Sequence, residues 1–216
     1  MQYFTDHAEI LKQWADYLVN IGYDPANQLC TDDFAGHLAH NCNLSAKAIC
    51  ALAAYAKMLE ATGNQMATTY AGHARQMAAS WEAAAFDGDH YKLAFDQSGS
   101  WSLKYNMVWD KLLNLKLFSQ KVYDTELLWY ERQLRPYGVP LDNRGDTTKT
   151  DWELWSTALF HDTAYTNAVV DAMWRWLCDT PDRMPFPDLV YTSEPYLRGF
   201  VARTVQGGLF INLLKF

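Results

Sequence analysis

No stretch of the sequence reaches the roughly 20 consecutive apolar residues that a membrane-spanning helix needs, so no membrane partner is expected. Basic clusters are equally scarce: 18 Lys and Arg face 25 Asp and Glu, for a formal net charge of -7. Duplex nucleic acid and anionic lipid surfaces both need a positive patch, and neither is an expected partner. The opening MQYFTDHAEILKQW puts Asp6, His7, Glu9 and Lys12 where the apolar core of a signal peptide would have to lie.

Cysteine chemistry is also thin. Cys30, Cys42, Cys50 and Cys178 show neither C-x-x-C spacing nor the Cys/His pairing of a zinc site. Cys30 and Cys42 flank one loop and could be bridged, but burial of all four as small hydrophobes is the better expectation. The G-x-S-x-G, S-x-x-K, P-loop, G-x-G-x-x-G and H-E-x-x-H motifs are missing. No metal or cofactor is therefore expected. With no activated nucleophile in view, carboxylate-assisted attack by water is the default chemistry.

What is present is enough apolar material for a substantial core, at 50% of 216 residues. Helical periodicity dominates and predicts helices over 5–20, 44–61, 64–86, 104–116, 120–135, 151–160, 165–179 and 200–214. Strand-like alternation is confined to HYKLAF (90–95) and DLVYT (188–192). The fold class is all-α. The first, third, fifth and seventh helices are amphipathic, whereas the second, fourth, sixth and eighth are apolar nearly all round. Outer then inner, repeated along the chain, is the pattern of αα-hairpins curling into a ring. Inner-to-outer links are short and outer-to-inner links are long, so the four long loops should emerge together where the inner helices begin. A pocket formed there suits a small polar molecule or a sugar.

The first long loop contains TDDFAGHLAHN, with Asp32 and Asp33 as candidate acids and His37, His40 and Asn41 as hydrogen-bonding candidates. His37 and His40 have no third ligand in view for a metal. Asn106, Asp110 and Asn114 form an i, i+4, i+8 polar stripe on the fourth helix, which makes Asp110 a candidate or a structural anchor. The third long loop, YGVPLDNRGDTTKTDWELW, supplies Asp142, Asp151 and Glu153 as acids and Arg144 as a carboxylate clamp. Thr150 to Glu153 also fits a capping box, the preferred reading for Glu153. Trp101, Trp109, Trp152 and Trp155 lie in or near these connections, and Trp155 is the candidate for stacking on substrate.

The segments DDFAGHLAHNCNLSAKAICALAAYAKM, GDHYKLAFDQSGSWSLKYNMVWDKLLNLKLF, YGVPLDNRGDTTKTDWELW, TPDRMPFPDLV and ARTVQGGLFINLL occur in that order. Together they resemble the C-terminal helical region of the fungal and bacterial glutaminase A family, over residues 1 to 214. The resemblance implies a six-hairpin (α/α) toroid of the type seen in many glycoside hydrolases. Four hairpins are expected here, so residues 1–216 would be one helical domain, the C-terminal part of a larger toroid with upstream domains as partners. It further implies an extracellular or periplasmic parent that hydrolyses glutamine to glutamate and ammonia. Two other readings stand beside it: a glycoside hydrolase or glycan-binding module, and a catalytically silent structural half.

Overall fold

The computed structural model describes residues 2–27 and 33–214. Helices α1 (Gln2–Asp6) and α2 (Ala8–Ile21) lead into a one-turn 3-10 helix at Asp33–Ala35, and then into α3 (Cys42–Ala61) and α4 (Ala67–Ala85). A 3-10 turn at Tyr105–Met107 runs directly into α5 (Val108–Leu112), followed by α6 (Gln120–Gln133), α7 (Thr150–Thr157) and α8 (Thr163–Asp179). A ten-residue 3-10 helix, Thr204–Leu213, closes the described chain.

Two of the best-formed helices start on side-chain caps. Asn41 Oδ1 accepts from Leu44 N at 2.8 Å to open α3, and Asp162 Oδ1 accepts from Tyr165 N at 2.8 Å to open α8. α3 is buried along most of its length and makes its most extensive contact with α4. Alanines dominate that seam, with Ala46, Ala53, Ala56, Ala74 and Ala78 all buried, and small side chains let helix axes approach closely.

The alternation of outer and inner helices holds for the first three pairs. Among the described residues α2 buries only Ala15, whereas α3, the 105–112 segment and α7 bury most of their side chains. The inner elements are neighbours in chain order: α3 meets the Tyr105–Met107 turn, that turn meets α7, and α7 meets the terminal 3-10 helix.

The expected 5–20 helix is divided at His7 into α1 and α2, and two other expected helices differ more. The 104–116 helix stops at Leu112, because the Asp110 carboxylate draws the chain back by accepting from Leu117 N (2.9 Å) and Phe118 N (3.4 Å). Asn114 (φ 48°) and Lys116 (φ 57°) make the reversal in the left-handed region. The Asn106, Asp110, Asn114 stripe therefore does not exist as a helical face. In the 200–214 segment Thr204–Leu213 is 3-10 rather than α, and the segment is mostly exposed, burying only Ile211. Its Gly207-Gly208 pair opposes α-helix, and Gly208 sits so close to α7 that a Cβ there would fall 2.7 Å from Trp155 Nε1.

The long loops are sewn to one another in order. Loop one meets loop two through Cys42 N to Leu93 O (2.8 Å) and Phe95 N to His40 O (2.9 Å). Loop two meets loop three through Leu103 N to Leu141 O (2.8 Å) and a bridge between Ser102 and Asp142. Loops three and four share an antiparallel sheet, β1 (Thr147–Lys149), β2 (Leu189–Tyr191) and β3 (Leu197–Gly199), in that order. β2 falls within the expected DLVYT segment, whereas 90–95 forms only isolated bridges. All four long loops thus share one face, as their lengths implied.

Candidate functional site

On that face lies a cleft of about 460 Å³, walled by Phe34 and Ala35 of the first loop, Leu141, Asp142 and residues 144–147 of the third, and β2, β3 and Phe200 of the fourth. Phe34 holds the first loop down, its ring 5.8 Å from that of Trp152 and 5.5 Å, edge-on, from that of Phe200.

The charges of the cleft are mostly spent on one another. Asp142 is buried, and Arg144 wraps it: Arg144 N (2.8 Å) and Nε (3.0 Å) donate to Oδ1, and Nη2 (2.6 Å) donates to Oδ2. The remaining Arg144 nitrogen, Nη1, donates to Gly36 O at 2.9 Å and so ties the first loop to the third. Asp146 accepts from Arg135 Nη1 and Thr192 Oγ1. Burial works against its charged form, but the Thr192, Ser193 and Arg135 contacts together hold its carboxyl below the usual range. Arg198 is the exception, an exposed guanidinium on the cleft wall with no partner among the described residues.

Beneath the cleft, β1 carries a second charged group. Lys149 Nζ lies 2.6 Å from Asp188 Oδ2 and 2.9 Å from Asp151 Oδ1, 4.7 Å above the Trp152 ring. Arg203 Nη1 approaches Asp188 Oδ2 at 3.5 Å. Burial pushes the Asp151 carboxyl up, and Lys149 only partly reverses it. This cluster anchors the start of α7, where Thr150 N donates to Asp188 O at 3.0 Å.

The candidates read from sequence scatter around this arrangement. Asp32 lies outside the described residues, and Asp33 opens the 3-10 turn that leads into Phe34. His37 is exposed, one residue past Gly36. His40 turns away to Asp24, with Nδ1 2.7 Å from Oδ1, and this hydrogen bond raises its pKa. Asn41 is consumed as the α3 cap rather than offered as a donor to substrate. Asp110 is buried among Leu117, Phe118 and Tyr123, whose hydroxyl donates to it, and has a structural task.

Glu153 does not form the capping box, because the Thr150 amide is already taken by Asp188. It accepts instead from Val139 N at 2.6 Å in a fully buried setting that pushes its carboxyl up to about 8. Trp155 stands edge-on to Trp109 at 5.6 Å, beside Gly208 and off the cleft. Cys42 and Cys50 are buried, but Cys178 is exposed, against the expectation of burial for all four.

Arg198 and Lys149 were missed. Lys149 carries a usable sequence signal, since a lysine two residues ahead of Asp151 has a carboxylate within reach at the helix start. Nothing adjacent in sequence marks Arg198. Among the described residues no cluster of His, Cys, Asp or Glu could hold a metal, and no helix is long and apolar enough to cross a membrane.

A family described as the glutaminase A six helical-hairpin domain matches residues 1–213. "Glutaminase A" of Aspergillus oryzae is 36% identical over 220 residues, which cover 98% of this chain and 32% of that protein. A protein of Arthroderma benhamiae named "Probable glutaminase" is 32% identical over 238 residues, covering 94% of this chain and 27% of its own length. The chain thus spans about a third of the length of these curated relatives.

Proposed function

The chain belongs to the glutaminase A six-helical-hairpin family, and from that premise we propose that it contributes the substrate-holding cleft of an enzyme that hydrolyses the side-chain amide of glutamine. The observation that supports this reading is the cleft itself. Among the described residues, the lining carboxylates Asp142 and Asp146 are neutralised by the protein's own arginines, and the guanidinium of Arg198 remains without a partner. Such a cleft favours a ligand bearing a carboxylate.

Asp142 is then a poor general base, since Arg144 donates three hydrogen bonds to it. The proposed base is Asp33, one residue ahead of the cleft wall at Phe34. It takes a proton from water as the water oxygen attacks the amide carbon, and collapse of the tetrahedral adduct expels ammonia, leaving glutamate. The same pairing disfavours a glycosidase, which needs one protonated acid and one free carboxylate across the sugar.

The test is ammonia release from glutamine by the intact polypeptide that carries this sequence. Asp33→Asn should lower kcat by about 100-fold with Tm unchanged. Asp142→Asn should instead cost about 1–3 kcal/mol of stability, because Arg144, with 22% of its side chain exposed, loses its charge-assisted hydrogen bonds to the Asp142 carboxylate. Cleavage of glycosides with no action on glutamine, or a covalent acyl-enzyme detected by mass, would overturn the reading.

A further inference from the structure

We infer that Arg198 is a carboxylate-binding residue, built into the cleft by a β-bulge, and that it receives the α-carboxylate of the substrate. The register of the sheet shows the device. Leu189 pairs with Gly199 and Val190 pairs with Leu197, so two successive residues of β2 face two residues of β3 that have Arg198 between them. Arg198 is the extra residue. A bulge breaks the pairing at one position and re-aims the side chain that sits there. Here the re-aimed side chain lies on the cleft wall, alongside Tyr191, Gly199 and Phe200.

Charge balance gives the class of ligand. Among the described residues that line the cleft, Asp142 is matched by Arg144 and Asp146 by Arg135, which leaves the positive charge of Arg198 without a counter-charge. The chain as a whole has a net charge of -7, and a positive site on such a molecule is a local exception. One planar guanidinium with its fork unused matches one carboxylate, through two parallel N–H···O bonds. Leu141, Leu189, Phe34 and Phe200 supply apolar wall for a short aliphatic chain beside it.

Arg144, the arginine that sequence alone singles out, has a different task. With Asp142 on three of its donors and Gly36 O on a fourth, it positions the first loop and does not clamp substrate.

The identity of the ligand as glutamine rests on the amidohydrolase reading, whereas the anion site itself does not. The experiment separates them. In the intact polypeptide, Arg198→Ala should raise KM for glutamine by about 10- to 100-fold with little change in kcat and none in Tm. KM for glutamine α-methyl ester, which has no carboxylate to offer, should be the same in variant and wild type. Arg198→Lys, which keeps the charge and loses the fork, should fall between. An unchanged KM for glutamine, or equal losses for acid and ester, overturns the assignment. If the wild type does not hydrolyse glutamine, the functional reading fails. The site is then judged by calorimetric titration of L-glutamate, where equal affinity in wild type and Arg198→Ala, or no binding to either, overturns it too.

Discussion

Replacing Glu153 by glutamine should remove a large part of the protein's pH dependence. Glu153 is fully buried in the first turn of α7, with Oε1 accepting from Val139 N and Oε2 without a partner. Burial pushes its carboxyl up to about 8, and the Val139 amide offsets only part of that, whereas in the unfolded chain it titrates near 4.5. The folded state therefore keeps a proton that the unfolded chain releases. Its stability is full below about pH 4.5 and falls as pH rises through about 8. The gap between the two values corresponds to about 5 kcal/mol once both states are ionised, with about 4 kcal/mol lost between pH 5 and pH 9. Glutamine keeps an acceptor for Val139 N and cannot ionise. Its unpartnered NH2 adds a cost of about 1–3 kcal/mol that does not vary with pH. Urea melts of both proteins at pH 5, 7 and 9 give the quantity that matters, the stability of the variant relative to wild type. That difference should move in the variant's favour by about 4 kcal/mol across the range, since the other titrating groups are common to both proteins and cancel. A constant difference would show that Glu153 is ionised, or reached by water, in the native state, and would refute the argument.

Two further outcomes follow from buried groups. Lys104 is fully buried, donates to Tyr91 O (2.9 Å) and Ser102 O (2.8 Å), and lies 3.7 Å from Glu126 Oε2. Lys104→Met should cost about 3–5 kcal/mol in chemical denaturation, because it leaves the buried Glu126 without its counter-charge, and adding Glu126→Gln should recover part of the loss. Brief treatment of the native protein with iodoacetamide at pH 8 should alkylate Cys178, which is exposed, and spare Cys42 and Cys50; burial pushes the Cys42 thiol up to about 12 and Cys50 higher still. Peptide mass spectrometry reads all three sites, and modification of Cys50 ahead of Cys178 would contradict the burial.

Much of this fold is legible from the sequence because its signals are local. The apolar run of α3, the Asp162 cap of α8 and the two-faced patterns of α4 and α6 each depend on residues within a turn or two of one another. The contrast between short and long connections then decides which ends of the helices share a face. The failures lie where a distant group intervenes. Nothing within 104–116 says that Asp110 will catch the amides of Leu117 and Phe118 and end the helix at Leu112. Thr150 to Glu153 has the spacing of a capping box, but Asp188, far along the chain, takes the amide the box requires.

The site is harder to read than the fold, and the two arginines show why. A sequence reports that a charge exists, whereas a site depends on whether the charge is already used. Arg144 stands two residues from Asp142, close enough for its side chain to fold back onto that carboxylate, and the acid that makes it prominent in the sequence is the one that occupies it. Arg198 sits among residues with no such partner, and its place in the cleft depends on how β3 registers against β2. Register is set by pairing between segments that are remote from the cleft's other wall in sequence, and a slip of one residue would turn a side chain to the opposite face. For an anion site in this family of loops, the informative arginine is thus the one whose neighbours leave it unpaired, and only the sheet register identifies it.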